Sequence, residues 1–229
     1  MTIKAVLFDV GGPLNTETTH ERLVDQGIRS ALGTHGIAVT DEQYEQASDW
    51  AVNAYVADVH PAILWKLTRG DATLGRTIHD AIWKQAGGAI PFDLRPGIPE
   101  LLARLAETGL RLGLAANQPV STIAVLDQLG IGQYFSHRQV SETHGFRKPD
   151  LRLFLSACDE LQVHPNECIM VGDRIDNDIS PAASLGMSTI HFRTGRHRNQ
   201  RPRSWQEVPD EVVETVDELE AALRHLVGF

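Results

Sequence analysis

Two short apolar runs in this chain, Ala5 to Phe8 and Cys168 to Gly172, each stop at an aspartate, Asp9 and Asp173. Neither alternates polar with apolar residues, as a half-exposed strand does. Continuous apolar stretches of this length suit strands covered on both faces, which is the habit of parallel sheets. Strands are therefore expected at 3–9 and 168–172, with similar runs at 111–116, 134–140 and 187–192. Helical patterns lie between them at about 97–108, 120–130, 150–162 and 178–185. This alternation predicts βαβ units, hence an α/β fold built on a parallel, Rossmann-like sheet. In the first helix Ile98, Leu101, Leu102 and Leu105 share one face, and Gly109 ends it. Ser121, Asp150 and Asp178 fall where helix N-caps are expected. Residues 210–227 read as a strand stub and a closing helix.

Residues 17–90 break the alternation. They read as consecutive helices at 17–33, 41–58, 61–69 and 72–86, punctuated by Gly33, Gly36, Pro61, Gly70 and Gly87-Gly88. A run of helices inserted after the first strand predicts a cap (17–90) over the edge of a core made of 1–16 and 91–229, with Pro91 to Pro99 as the return linker. Trp50, Trp65 and Trp83 in this stretch are expected to fill its core, and most of the scattered histidines to lie on the surface or in the cap.

The formal net charge of −9 argues against a nucleic-acid or membrane-surface binder, whose footprint would be basic. No apolar run approaches the roughly 20 residues that span a bilayer, and no signal region precedes the first strand. Two cysteines, Cys158 and Cys168, are too few for a disulfide framework and read as buried thiols in a reducing, cytoplasmic setting. The local exception in charge is "FRTGRHRNQRPR", with five arginines from Arg193 to Arg203. It reads as a solvated loop, with an anion-binding lip as the alternative.

Ligands of open parallel sheets bind beyond the carboxyl ends of the strands. Those ends deliver Asp9, then Ala116 and Asn117, then Lys148 in "GFRKPD", then Asp173 with Asp176 and Asp178. Converging carboxylates with one lysine suit a hard divalent cation and a phosphate: magnesium takes oxygen ligands, and the lysine offsets accumulated negative charge. Asp176 is expected to be solvated. Gly11 and Gly12 can turn backbone N–H groups toward phosphate oxygens. Asp9 is placed to act as a nucleophile, forming an aspartyl-phosphate.

In order and spacing these segments resemble the haloacid dehalogenase (HAD) superfamily, and the early helical insert resembles its C1-cap members. The resemblance covers nearly the whole chain and is most specific in "VGDRIDNDISPAASLGM". It implies a Mg2+-dependent phosphatase of small phosphorylated metabolites. Asp9 falls on the nucleophile and Lys148 on the charge-balancing lysine. The metal would be held by Asp9, the Gly11 carbonyl, Asp173 and Asp178, and the phosphate by Gly11, Gly12, Ala116, Asn117 and Lys148. The pattern departs in three places. The second aspartate that many of these phosphatases carry is Gly11, so its proton transfer is lost, at a typical cost of about 10²–10⁴-fold. A common threonine is Pro13, and the hydroxyl of the second motif is Ala116. Thr16, Glu17, His20, His60 or His79 are candidates to supply the missing acid. Three other readings follow from the departures: a catalytically silent binder of a phosphorylated ligand or partner, a 2-haloacid dehalogenase, and a phosphonatase-like enzyme with Lys66 as its amine. The full set of acids after residue 172 argues against the dehalogenase.

Overall fold

The computed structural model describes residues 2–86 and 91–228. The Gly87-Gly88 break and the expected boundary at 90/91 lie outside the described residues. The chain forms two compact units, Met1–Thr16 with Leu94–Phe229, and Glu17–Asp93.

The first unit holds, among the described residues, a six-stranded sheet of β1 (Ala5–Phe8), β2 (Arg111–Leu114), β3 (Phe135–His137), β4 (Cys168–Gly172), β5 (Ser188–Phe192) and β6 (Glu211–Val213). The strand order is β3-β2-β1-β4-β5-β6, and every pairing is parallel. This is the expected Rossmann-like α/β fold. Every residue of β1 and β4 is buried, which explains their unbroken apolar sequences. In register, Phe8 stands beside Leu114 on one side and Val171 on the other, so three strand ends share one rim. The helix Leu151–Leu161 lays Leu153, Phe154, Ala157 and Leu161 against Leu7 and Met170. Burying such side chains contributes about 1.5–3 kcal/mol each. Cys158 and Cys168 are buried there, with sulfurs 3.6 Å apart.

Three local expectations are corrected. β3 is shorter than 134–140, because the chain turns after His137 into the helix Ser141–His144. The helix expected at 178–185 opens with a π-helical turn, Ile175–Ile179, and continues as Ser180–Ser184. Such turns admit an extra residue and gather at functional sites. Asp150 caps its helix by accepting from the Arg152 N–H at 3.0 Å, but Val120, with helical backbone angles, precedes Ser121, and Asp178 lies inside the π turn rather than at a cap.

The second unit consists of helices Thr18–Thr34, Asp41–Asn53, Val59–Leu67 and Ala72–Ala86. Thr40 and Gln43 form a capping box at the start of the second helix, which stops at Asn53 rather than running to residue 58; Asp58 accepts from the His60 N–H and caps the next helix, which begins at Val59 rather than at Pro61. The ends of the unit are tied by the Thr19 N–H, which donates to Asp93 Oδ2 at 2.7 Å. Val24, Ile28, Ile63, Leu64 and Ile78 form the core. Trp50, Trp65 and Trp83 do not fill it; they are 37%, 48% and 40% exposed. The aliphatic side chains already occupy the interior, so Trp50 and Trp65 stack on each other at 5.7 Å while Trp83 packs on His60 and His79. No helix among the described residues is long and apolar enough to cross a membrane.

Candidate active site

At the end of β1 the Asp9 N–H donates to the Val171 carbonyl at 2.9 Å, so the acid is held by the sheet itself. Its Oδ1 accepts from the Val10 N–H at 2.7 Å, and Oδ2 lies 3.0 Å from Lys148 Nζ. The chain then doubles back, with the N–H groups of Leu14 and Asn15 both donating to the Val10 carbonyl. Gly12 sits in this turn at φ +77°, where a Cβ would lie 2.7 Å from Cβ and Cγ of Asp173. Glycine alone meets both demands. Arg95 grips the turn from outside. Its Nε and Nη2 donate to the Gly12 carbonyl at 2.9 and 2.7 Å, Nη2 also donates to Thr194 Oγ1 at 2.7 Å, and the guanidinium lies 4.7 Å over the Phe192 ring.

Beyond β2, Ala116 is buried and offers no polar side-chain atom; its carbonyl accepts from the Ser141 N–H at 3.0 Å. Asn117 donates from Nδ2 to the Lys148 carbonyl at 3.0 Å and accepts from the Lys148 N–H at 2.7 Å. Its side-chain amide thus fixes the backbone of the lysine. The Lys148 ammonium, on a residue only 5% exposed, lies 2.6 Å from Asp178 Oδ1 in addition to its contact with Asp9.

Beyond β4 comes a denser turn. The Asp173 carbonyl faces His191 Nε2 at 3.0 Å. Asp178, fully buried, accepts from Lys148 at Oδ1 and from the Arg174 N–H at Oδ2, 2.9 Å. A Cβ on Gly172 would come within 2.3 Å of Asp178 Cβ, so the glycine makes room for the acid. Asp176 is not simply solvated: Arg174 bonds it at 2.6 Å, and buried Gln200 reaches both Asp176 Oδ1 (3.3 Å) and the Ile175 N–H (2.9 Å).

Asp9, Asp173 and Asp178 each place a carboxylate oxygen within 4.8 Å of the others. With Lys148 the buried group carries −3 + 1 = −2 charges when all are ionised. Burial pushes the Asp9 pKa up to about 6; Lys148 pulls against this and the Asp178 charge adds to it. Burial opposes the charge on Lys148, but Asp178 and Asp9 outweigh it and hold its pKa above the ordinary value. Burial lowers the His191 pKa, and the charges of Arg193 and Arg201 lower it further. Hard oxygen donors in negative excess are the donor set of a divalent cation such as magnesium, so the residues fit such an ion. Asp178 is the most enclosed of the three, fully buried and accepting hydrogen bonds at both oxygens.

The structure therefore brings together Asp9, Lys148, Asp173 and Asp178, with Gly12 against Asp173 and Asn117 behind Lys148. Sequence reasoning missed Arg95, His191 and Gln200, each of which holds a backbone group of these turns. His191 left one signal, a polar residue inside the apolar run of β5; it and His137 are buried rather than superficial.

The family model for haloacid dehalogenase-like hydrolases matches residues 3–186. The chain is 35% identical to the glyceraldehyde 3-phosphate phosphatase of Methanopyrus kandleri, over 98% of both chains. It is 29% identical to the N-acetylmuramic acid 6-phosphate phosphatase of Pseudomonas aeruginosa, over 97% of both. The crystal structure of a HAD phosphatase from Thermococcus onnurineus superposes with a TM-score of 0.62, at 24% identity, covering 99% of this chain and 98% of that one. A sheet whose strand ends converge on three acids and a lysine, and a match across most of its length, make this chain a member of the haloacid dehalogenase-like hydrolases.

Proposed function

We propose that this protein hydrolyses phosphate monoesters of small metabolites through an aspartyl-phosphate at Asp9. The observation that carries the reading is the Lys148 ammonium set between Asp9 (3.0 Å) and Asp178 (2.6 Å), beside Asp173. The names of the two relatives share only the phosphate monoester, which is the class proposed. Asp9, the Gly11 carbonyl and Asp173 would hold magnesium, with Asp178 behind them; the bound ion supplies charge neutralisation on the transferring phosphoryl group. An Asp9 oxygen attacks phosphorus in line, and the ester P–O bond breaks with its electron pair leaving on the alcohol oxygen. Water then cleaves the acyl phosphate and returns the carboxylate. Lys148 holds Asp9 in place and balances developing charge, Asn117 fixes the lysine's backbone, and the turn at Gly11 and Gly12 with the backbone of Ala116 and Asn117 receives the phosphate oxygens. Gly11 supplies no proton to the leaving oxygen, which takes it from solvent, so aryl and acyl phosphates, whose leaving groups need little protonation, are the best substrates. The setting is the reducing cytoplasm, in keeping with two free buried thiols.

Turnover of an aryl phosphate, with and without magnesium, tests this. Asp9→Asn is expected to lower kcat by at least about 10³-fold; a variant as active as the parent would remove the nucleophile. The missing groups at Gly11 and Ala116 favour one second reading, a silent binder. Tight magnesium-dependent ligand binding with no turnover across a broad phosphate panel supports that reading instead.

A further inference from the structure

The two thiols take no part in the site described above, yet they lie against each other. Cys158 stands in the last turn of the helix Leu151–Leu161, and Cys168 opens β4. Both residues are buried, with sulfurs 3.6 Å apart. The connecting segment 162–167 is exposed or half-buried, and it doubles back tightly enough to bring the pair together. Gln162 takes a left-handed backbone at φ +54°, and the Val163 N–H donates to the Cys158 carbonyl at 3.0 Å. The two thiols are chemically unequal. The Cys168 S–H can turn from the His164 carbonyl, 3.4 Å away, to the Cys158 sulfur. That bond favours a thiolate at Cys158 and holds its pKa below the ordinary value, against the burial that would raise it. The same contact, together with burial, keeps Cys168 protonated. A thiolate is the attacking species in thiol oxidation, and a second thiol within reach resolves its product.

We propose that Cys158 and Cys168 form a redox modification site, a dithiol that hydroperoxides convert to an intramolecular disulfide. The Cys158 thiolate attacks a peroxide oxygen, and the O–O bond breaks with its electron pair on the departing oxygen. That oxygen takes up the proton the thiol released, and Cys158 is left as a sulfenic acid. The Cys168 sulfur, losing its own proton, displaces the sulfenic hydroxyl, which leaves as water while the S–S bond closes. Two thiols and one hydroperoxide thus give one disulfide, one alcohol (water, from hydrogen peroxide) and one water. The sulfurs move from 3.6 Å to about 2.05 Å. Hydrogen peroxide enters when the last turn of the helix frays, since helix ends are among the least costly places for a fold to open. The bond lies at the start of β4, whereas Asp173 follows its end, about 16 Å along the strand. Oxidation therefore staples helix to sheet and leaves the acids and Lys148 untouched. None of this depends on the phosphate-ester reading.

Peptide mapping and melting of the full chain test it. The folded, reduced protein is incubated with hydrogen peroxide, unfolded in an alkylating reagent and cut with trypsin. Both cysteines fall in one tryptic peptide, 153–174, bounded by Arg152 and Arg174. After peroxide this peptide is expected two hydrogens lighter and without alkyl label, and dithiothreitol should restore both labels. The oxidised protein should melt about 5 °C or more above the reduced one, because the cross-link restricts the unfolded chain. In Cys168→Ser the reaction should stop at a sulfenic acid on Cys158, captured by dimedone, whereas in Cys158→Ser the remaining thiol should stay reduced. A parent peptide that still takes two labels, or that gains oxygen atoms instead of losing hydrogens, overturns the site, whether or not either serine variant folds. A disulfide that leaves Tm unchanged overturns the staple, and dimedone capture at Cys168 alone overturns the order of attack.

Discussion

After β1 the chain turns through Gly11, Gly12 and Pro13, none of which brings a polar side chain. After β4 it turns through residues 173–178, of which all but Ile175 are polar. Both turns lie on one rim, and both must hold charged oxygen atoms still. The second does so largely with its own side chains, Asp178 accepting from the Arg174 N–H and Arg174 bonding Asp176, with His191 and Gln200 bracing it from farther along the chain. The first borrows its rigidity from Arg95, more than 80 residues on, through two hydrogen bonds to one carbonyl. A turn built from glycine leaves room for a neighbour, here Asp173, but must be stiffened from elsewhere.

That contrast can be broken most forcefully at Gly172. Ala there places Cβ 2.3 Å from Asp178 Cβ, with no flexible tip to yield. We expect Gly172→Ala to destabilise the protein by about 3 kcal/mol, read as a fall in Tm of roughly 10 °C; unchanged melting would mean that the β4 turn is looser than its contacts imply. Next comes the borrowed clamp. Arg95→Met removes charged donors from the Gly12 carbonyl and should cost about 2 kcal/mol in denaturant unfolding, with Arg95→Lys recovering part. If Arg95→Met unfolds like the parent, the first turn stands by itself and the comparison fails.

The smallest effect concerns pH and sharpens the difference in charge. Asp9 has a folded pKa of about 6, above its ordinary value of 3.8. Between those values the folded protein holds a proton that the unfolded chain has released. Stability of the metal-free protein should therefore fall as pH rises through 6 and stay lowered above it, by on the order of 1 kcal/mol between pH 5 and pH 7. Melting in a chelator at pH 5 and pH 7 measures it, and in Asp9→Asn the slope should flatten. An Asp9→Asn protein that keeps the parent's slope contradicts the assignment.

How far the site was legible in the sequence follows the same division. Asp9, Lys148, Asp173 and Asp178 could be read because each is a charged residue in a segment that follows a strand. Arg95 and Gln200 could not, because their targets, a backbone carbonyl and a hydroxyl for one and a backbone N–H and the Asp176 carboxylate for the other, lie in segments remote along the chain. Asn117 was legible as a position but not as a role: its amide serves the backbone of Lys148. The fold was plain from the fully apolar β1 and β4, whereas the tryptophans of the helical unit misled, since large apolar residues are also common on surfaces.

Lys148 is secured at its root by Asn117 and at its tip by Asp9 and Asp178. A chain end moored twice cannot swing out to meet an arriving group. Whatever negative charge it is to offset has to travel the full distance itself, and amine-directed labelling reagents should pass this lysine by.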